Sequence, residues 1–441
     1  MNIDDLLINT NKTAIIWKNQ EYSYSYIYDR FFYWQNKLKP LDIGNVIGLE
    51  GDFSPETIAL LFVLIEQNKI IVPLDYKNTS KNNIKKEIAV INTLITIDND
   101  DNVKIEKQNN NTTKIILYLK LIEFNKPGLV LFTSGSSGSP KAALHDFEKL
   151  LTKFKIKRNP LSTINFLLFD HWGGLNTLFH VLSNQGTVIF LDKRTPEYVC
   201  SLIEKYKVEL LPTSPTFLKM LLVSRVYNNF SLKSLKIISY GSEPMPESLL
   251  IQLNEIFPTI KLQQTYGLIE LGVMRSKSES NDSLWVKLGG EGFNTRVVDN
   301  ILHIKSDSVM LGYLNAPSPF SNDGWFITGD LVELKGDLYK IIGRQSEIIN
   351  VGGEKVFPQE VENIIMQIDE IEDVLVFSEK NTLVGNIVCA KIKYNGNLSN
   401  AEMKKNIKLY CKNKLENFKI PVKIIFVDNS FESNRFKKYR I

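Results

Sequence analysis

The clearest chemistry in this sequence sits in a turn of glycines, hydroxyls and one lysine. Within GLVLFTSGSSGSPKAALHDFEKLL (128–151) an apolar strand runs into Thr133-Ser134-Gly135-Ser136-Ser137-Gly138-Ser139-Pro140-Lys141, and a helix containing Ala142 and Ala143 is expected to follow. Glycines let a backbone turn tightly and approach an anion, hydroxyls donate hydrogen bonds, and a lysine adds fixed positive charge. That set suits an oligophosphate. Its spacing matches neither GxxxxGK[ST] nor GxGxxG. A flexible Gly/Ser linker is the plain alternative, yet linkers do not usually join an apolar strand to an amphipathic helix through Pro-Lys.

The elements that must hold this loop are legible on either side. NVIGLEGD (45–52) reads as a strand, SPETIALLFVLIEQ (54–67) as a helix opened by Ser54 and Pro55, and KIIVPLD (69–75) as a second strand. Strand, helix and strand in succession form a βαβ unit, and repeated units build a largely parallel sheet. GTVIFLD (186–192), VELLPTSP (208–215), LKIISYGS (235–242) and IKLQQTYG (260–267) continue the pattern. Residues 77–114, rich in Asn, Lys and Thr, read as a surface insertion with one short strand. From Asn300, short alternating strands between Gly and Asp turns predict a small antiparallel, barrel-like subdomain. After Arg344 come a helix, two strands, a helix and a strand. The fold class is therefore α/β: a large N-terminal domain (1–344) with parallel-rich sheets flanked by helices, and a small α+β domain (345–441), for which the resemblance given below implies mobility.

Composition excludes other classes. At 441 residues the chain exceeds what one core usually serves. With 43% hydrophobic and 23% charged residues it has the balance of a globular protein rather than a disordered one. The longest apolar run stops at Glu66, far short of the ~20 residues a bilayer demands. Cys200, Cys389 and Cys411 lie apart, with no CxxC and no clustered histidines, which argues against a disulfide scaffold or structural zinc and suits a reducing cytoplasm. The opening MNIDDLLINTNK lacks the basic-then-apolar order of a signal peptide. A net charge of +4 is too weak to argue for nucleic acid. Residues 401–441, with 11 Lys/Arg against 4 Asp/Glu, form either a solvated basic face or a module meeting a phosphorylated or acidic partner.

Seven segments in order resemble the acyl-adenylate-forming superfamily, which includes acyl-CoA synthetases, adenylation domains of peptide synthetases and beetle luciferases. They are TSGSSGSPKAA (133–143), YGSEPMP (240–246), QTYGLIE (264–270), MLGYLN (310–315), WFITGDL (325–331), GRQSEIINVGGEKVFPQEVE (343–362) and RFKKYR (435–440). The resemblance runs from about residue 13 to the end of the sequence. It implies ATP-dependent activation of a carboxylic acid, release of pyrophosphate, and transfer of the acyl group to the thiol of coenzyme A or of a carrier protein's phosphopantetheine.

Under this resemblance Thr133, Ser134, Gly135, Ser136, Ser137, Gly138 and Lys141 hold the β- and γ-phosphates, and Glu270 holds Mg²⁺, a hard cation that favours oxygen ligands. Asp330 accepts the ribose hydroxyls, and Arg344 contacts the ribose from the domain border. Gly241, Ser242, Glu243, Thr265, Tyr266 and Gly267 surround the adenine. Lys437 is the catalytic lysine of the C-terminal domain, with Lys438 as its alternative. The acid pocket is expected at Asp170, His171, Ser239, Gly241, Gly267, Leu268 and Ile269, with His171 at the gate. Gly353 lines the thiol channel, and Gln345 and Ser346 form the hinge. Three positions depart from the family pattern: Ile269 replaces a threonine, Ser346 an Asp or Lys, and Phe436 a glycine. Amino-acid activation is the second reading, with Asp170 as the candidate to hold an α-amino group. A non-catalytic nucleotide-binding regulator is the third.

Overall fold

The computed structural model describes residues 10–77, 79–108, 110, 115–133, 139–290, 292–368, 370–382 and 385–428. Strands β1 (Thr13–Trp17) and β2 (Gln20–Ser23) precede helix α1 (Tyr24–Leu38), after which come β3 (Val46–Gly51), α2 (Pro55–Glu66) and β4 (Ile70–Asp75). The Ser54 hydroxyl accepts a hydrogen bond from the Thr57 amide (3.2 Å), and Pro55 occupies the first helical position, where its missing N–H costs nothing. Strands β3 and β4 pair in parallel from Val46↔Ile70 to Gly51↔Asp75, as the βαβ reading requires.

The supposed surface insertion is instead part of the main sheet. It folds into α3 (Thr79–Ala89), β5 (Thr93–Ile97) and β6 (Val103–Lys107), with β5 parallel to β3 on the side away from β4. Its polar composition misled because its apolar residues are few but well placed: Ile91, Ile95 and Ile97 are buried. Next come α4 (Ile116–Glu123), β7 (Gly128–Thr133), β8 (Lys141–Asp146) and α5 (Phe147–Leu151). Here too the expectation fails. Ala142 and Ala143 lie on strand β8, antiparallel to β7 with Thr133 opposite Lys141, so a hairpin rather than a strand–helix joint frames the glycine loop. Leu129, Val130, Leu131, Ala142, Ala143 and Leu144 are all buried, and two apolar runs of that length pair as readily as they coil.

The second half of the large region adds β9 (Ser162–Asn165), α6 (Trp172–Ser183), β10 (Thr187–Phe190), α7 (Pro196–Tyr206), β11 (Leu210–Thr213), α8 (Pro215–Ser224), β12 (Ile237–Tyr240), α9 (Glu247–Ile256) and β13 (Lys261–Gln264). Two seven-stranded sheets result. One, in the order β13-β12-β11-β9-β10-β1-β2, is parallel except at β1–β2. The other runs β8-β7-β4-β3-β5-β6, with a two-residue strand described below beyond β8. A common core joins them: Ile15 and Val188 from one sheet pack in a single cluster with Ile47, Ile71 and Leu129 from the other and with the buried faces of α2 and α6.

Short strands β14 (Gly267–Leu268) and β15 (Gly272–Val273) form a hairpin. Strands β16 (Ser276–Ser278), β17 (Val286–Leu288), β18 (Phe293–Val298) and β19 (Ile301–Ser306) follow, then β20 (Gly312–Tyr313), which pairs with β8, and β21 (Phe326–Lys335) and β22 (Leu338–Arg344). The antiparallel unit foreseen from Asn300 is a six-stranded sheet, β16-β17-β22-β21-β19-β18, and it starts earlier, at Ser276. Beyond it, β23 (Ile349–Val351), β24 (Glu354–Val356), α10 (Pro358–Ile365), β25 (Ile371–Asn381), β26 (Gly385–Tyr394), α11 (Asn400–Lys412) and β27 (Lys423–Phe426) build one sheet around their own cluster, which includes Val361, Val376, Ala390, Met403 and Ile407.

Candidate functional site

The hairpin register sets Lys141 at the mouth of the glycine loop. Asn315 fastens that end: its side chain accepts from the Ala142 amide and donates to the Pro140 carbonyl, both at 2.9 Å. Strand β20 lays Tyr313 beside the lysine, whose ammonium stands 5.6 Å from the ring centre. The Tyr313 hydroxyl in turn donates to Glu270 Oε1 at 2.6 Å. Burial, and then the Glu270 charge, push the Tyr313 phenol above its ordinary range, so it stays a proton donor. Glu270 occupies the tip between β14 and β15, where Gly272 supplies the left-handed turn (φ +82°). Beneath that tip lies His145 of β8, wholly buried and facing the backbone of Ile269 and Ser308. Burial holds its pKa down to about 4, so the ring is neutral.

A second carboxylate lies at the joint of β21 and β22. Asp330 and Arg344 are cross-strand partners, and the Arg344 Nε stands 3.1 Å from Asp330 Oδ1. The other oxygen, Oδ2, accepts the Tyr266 hydroxyl at 2.6 Å. Asp330 lies within β21, and Gly329, at φ +73°, turns the strand just before it. Tyr266, placed with the adenine, is 7% exposed, and its ring belongs to the cluster of Leu271, Met274 and Met310. Burial works to lower the Arg344 pKa, but the charges of Asp330, Tyr266 and Glu270 outweigh it and hold the guanidinium above its ordinary value.

Residues expected around the adenine, together with Ser239 of the expected acid pocket, gather at the carboxyl ends of neighbouring parallel strands, where open α/β sheets place ligands. Ser239 lies on β12 and Gly241 follows it, while Thr265 follows β13. A side chain at 241 would strike Thr265, since a Cβ there would meet Thr265 Oγ1 at 2.5 Å. Ser242 adopts φ +68°, and Glu243 accepts from the Thr216 amide at 3.0 Å.

On the acid side the structure assembles Asp170, His171 and the start of α6. His171 caps that helix: its Nδ1 accepts from the Gly173 amide at 3.0 Å, which leaves the ring proton on Nε2. Gly174 admits no larger residue, because a Cβ would meet the Leu168 carbonyl at 2.3 Å. Asp170 is paired with Lys85 of α3 at 3.0 Å, the two side chains being 2% and 9% exposed. Gly267 is exposed, whereas Leu268 and Ile269 are half-buried.

Among the remaining nominees, Gln345 and Ser346 form a 3₁₀ turn directly after Arg344, and Gly353 stands at the open β23–β24 turn with φ +98°. Ser134, Gly135, Ser136, Ser137, Gly138 and Lys437 lie outside the described residues. Two contributors escaped the sequence reading. Tyr313 stands in MLGYLN, a segment already singled out, so its signal was present. Lys85 had none, because only the fold brings it to Asp170.

Among the described residues no group of three or more His, Cys, Asp or Glu could hold a metal. Mg²⁺ binds through one or two carboxylates and completes its octahedron with phosphate oxygens and water. Glu270, with one oxygen engaged by Tyr313, is the residue that would supply such a ligand. A separate hollow of about 310 Å³, lined by Trp17, Asp52, Tyr76, Asn165, Phe190 and Arg194 among others, includes none of the nominated residues. No helix among the described residues is long and apolar enough to cross a membrane.

Comparison with known proteins places the chain in a family. The AMP-binding enzyme family model matches residues 8–314, and the model of the AMP-binding enzyme C-terminal domain matches residues 360–438. The chain belongs to the AMP-binding enzymes, the acyl-adenylate-forming superfamily. It is similar to the uncharacterized acyl–CoA ligase YhfT of Bacillus subtilis (strain 168), with 29% identity over 345 residues, covering 72% of this chain and 68% of that protein. It is also similar to the indoleacetate–CoA ligase of Aromatoleum aromaticum, with 26% identity over 336 residues, covering 68% of this chain and 64% of that one. The crystal structure of the anthranilate CoA ligase AuaEII in complex with anthranoyl-AMP has the same fold, with a TM-score of 0.81 at 18% identity, covering 99% of this chain and 95% of that one.

Proposed function

We propose that the protein is an acid–thiol ligase that activates a carboxylic acid with ATP and passes the acyl group to a thiol. In the first half-reaction a carboxylate oxygen bonds to the α-phosphorus, the bond to the β-phosphate breaks, and pyrophosphate leaves. In the second, a thiolate attacks the acyl carbon of the adenylate and AMP leaves. The observation that carries this reading is a pair of restrained carboxylates, Asp330 held by Arg344 and Tyr266, and Glu270 held by Tyr313, whose ring lies against Lys141. One carboxylate is suited to accept ribose hydroxyls and the other to hold a cation against phosphate.

In this reading Lys141, the hydroxyls of Thr133, Ser134, Ser136 and Ser137, and the backbone at Gly135 and Gly138 bear the charge of the β- and γ-phosphates. Positioning and electrostatic stabilisation do most of the work in such a transfer. Gly241, Ser242, Glu243, Thr265, Tyr266 and Gly267 frame the base. His171 stands at the entrance to the acid pocket, with Ser239, Leu268 and Ile269 around it. The unit 345–441 turns about Gln345 and Ser346 between the half-reactions, bringing Lys437 in for the first and Gly353 in for the second. Coenzyme A is the favoured acceptor, since the similar relatives are named as CoA ligases. A carrier protein's phosphopantetheine is the other, and a cytoplasmic setting would supply either. The amino-acid reading loses support at Asp170, whose charge is already balanced by Lys85.

Acid-dependent exchange of labelled pyrophosphate into ATP, run over fatty, aryl and amino acids, tests the proposal. Exchange with any of them supports adenylate formation and names the acid class. No exchange across the panel would favour a nucleotide-binding regulator. Mass analysis of the acyl product then separates coenzyme A from a carrier.

A further inference from the structure

Helix α3 is polar on the side that packs inward. The Asn82 side chain donates to Glu50 Oε1 and to the Asp75 carbonyl, each at 2.7 Å, and Lys86 reaches Glu50 Oε2 at 2.7 Å. Glu50 ends in the interior at 6% exposure, and Asn82 is wholly buried. Lys85 reaches furthest. Its ammonium lies 3.0 Å from Asp170 Oδ2 and 5.6 Å from the centre of the Phe132 ring. Phe132 immediately precedes Thr133 at the root of the glycine loop, and Asp170 immediately precedes His171.

A buried ion pair is a poor way to gain stability, because an apolar pair of similar size usually packs as well without losing hydration. What the pair adds is direction: the carboxylate must face the ammonium, and the turn that carries it must follow. We infer that Lys85 is a positioning residue that ties the root of the phosphate-side loop to the acid-side turn, fixing where His171 and the first turn of α6 stand. The inference deepens the acid-activation reading, and its kinetic consequence rests on that reading. Its structural consequence does not.

The test uses the full-length protein carrying Lys85→Met together with Asp170→Asn, which removes both charges and leaves neither alone. Asp170→Asn by itself serves if the double variant does not fold, since it removes the carboxylate while keeping the side chain's size. Hydrogen exchange is read at Gly173, Gly174 and Leu175, whose amides bond to His171. The expected result is exchange at least about tenfold faster there, with the β12 and β13 amides unchanged. Apparent KM for the acid should rise at least about tenfold while KM for ATP stays within about twofold. Unchanged exchange at 173–175 overturns the inference. A wild-type protein that activates no acid would defeat the functional reading alone, and the amide measurement would still decide this one.

Discussion

Tyr266 gives its phenolic proton to one oxygen of Asp330, 2.6 Å away, while Arg344 holds the other oxygen from the adjacent strand. Burial, and after it the Asp330 charge, drive the Tyr266 phenol well above its ordinary pKa, so the phenol remains the donor of this bond. Asp330 is thereby locked as an acceptor at 5% exposure.

Tyr266→Phe keeps the ring and deletes the bond. Because the acceptor is a buried carboxylate, the loss should cost about 1.5–3 kcal/mol of stability, measurable by urea unfolding. The same variant should raise KM for ATP more than it lowers kcat. A variant as stable as wild type would mean that water replaces the hydroxyl.

Glu270→Gln removes a negative charge and leaves Tyr313 a neutral partner. The magnesium concentration giving half-maximal pyrophosphate exchange should rise about tenfold or more, with the fold unchanged by circular dichroism. Tyr313→Phe should shift it less, since the carboxylate remains. An unaltered magnesium profile in Glu270→Gln would remove Glu270 from the metal site.

Acid should weaken the protein through His145. In the unfolded chain a histidine titrates near 6.5, but in the fold this ring is held to about 4. Between those values the unfolded state takes up a proton that the folded state refuses. Stability is therefore intact above 6.5 and falls toward pH 4, by at most about 1.4 kcal/mol per pH unit for one proton. His180, also lowered to about 4 by burial and then by Arg158 and Lys153, acts in the same direction. Asp101 opposes both, because burial raises its carboxyl to about 6 and favours the protonated fold. The comparison of wild type with His145→Gln isolates one ring: the variant's urea midpoint should drop less between pH 6.5 and 5. Parallel curves would show that His145 carries its proton in the fold.

Lys437→Ala separates the half-reactions. Adenylate formation should fall by about two orders of magnitude or more, while thioester formation from a supplied acyl-adenylate stays largely intact. An equal loss in both steps would argue against a unit 345–441 that alternates between them.

Much of this architecture could be read from spacing. The β3–α2–β4 unit was visible because Ser54-Pro55 marks a helix start and the flanking apolar runs have strand length. The carboxylates Glu270 and Asp330 were legible as types in short motifs. Three things were not. The Ala142–Ala143 segment looked helical because alanine favours helices, and only pairing with β7 and β20 settles it as a strand. Residues 77–114 looked like surface because, beside a few buried apolar residues such as Ile91 and Ile95, their inward contacts include Asn82 and Lys85, types that composition counts as exposed. The bonds Tyr266–Asp330 and Tyr313–Glu270 join residues 64 and 43 positions apart, and no local pattern announces such a meeting.

The β7–β8 hairpin has a consequence for how robust the phosphate grip can be. A loop opening onto a helix start draws on a dipole spread over many peptide groups, a reserve that no single side-chain change can erase. Two antiparallel strands offer little comparable field, since their peptide dipoles largely cancel. In the proposed reading, attraction for the triphosphate would then rest chiefly on Lys141 and the hydroxyls of its loop. Such a site is brittle to substitution, yet for the same reason its strength could drift widely over evolutionary time without disturbing the sheet that carries it.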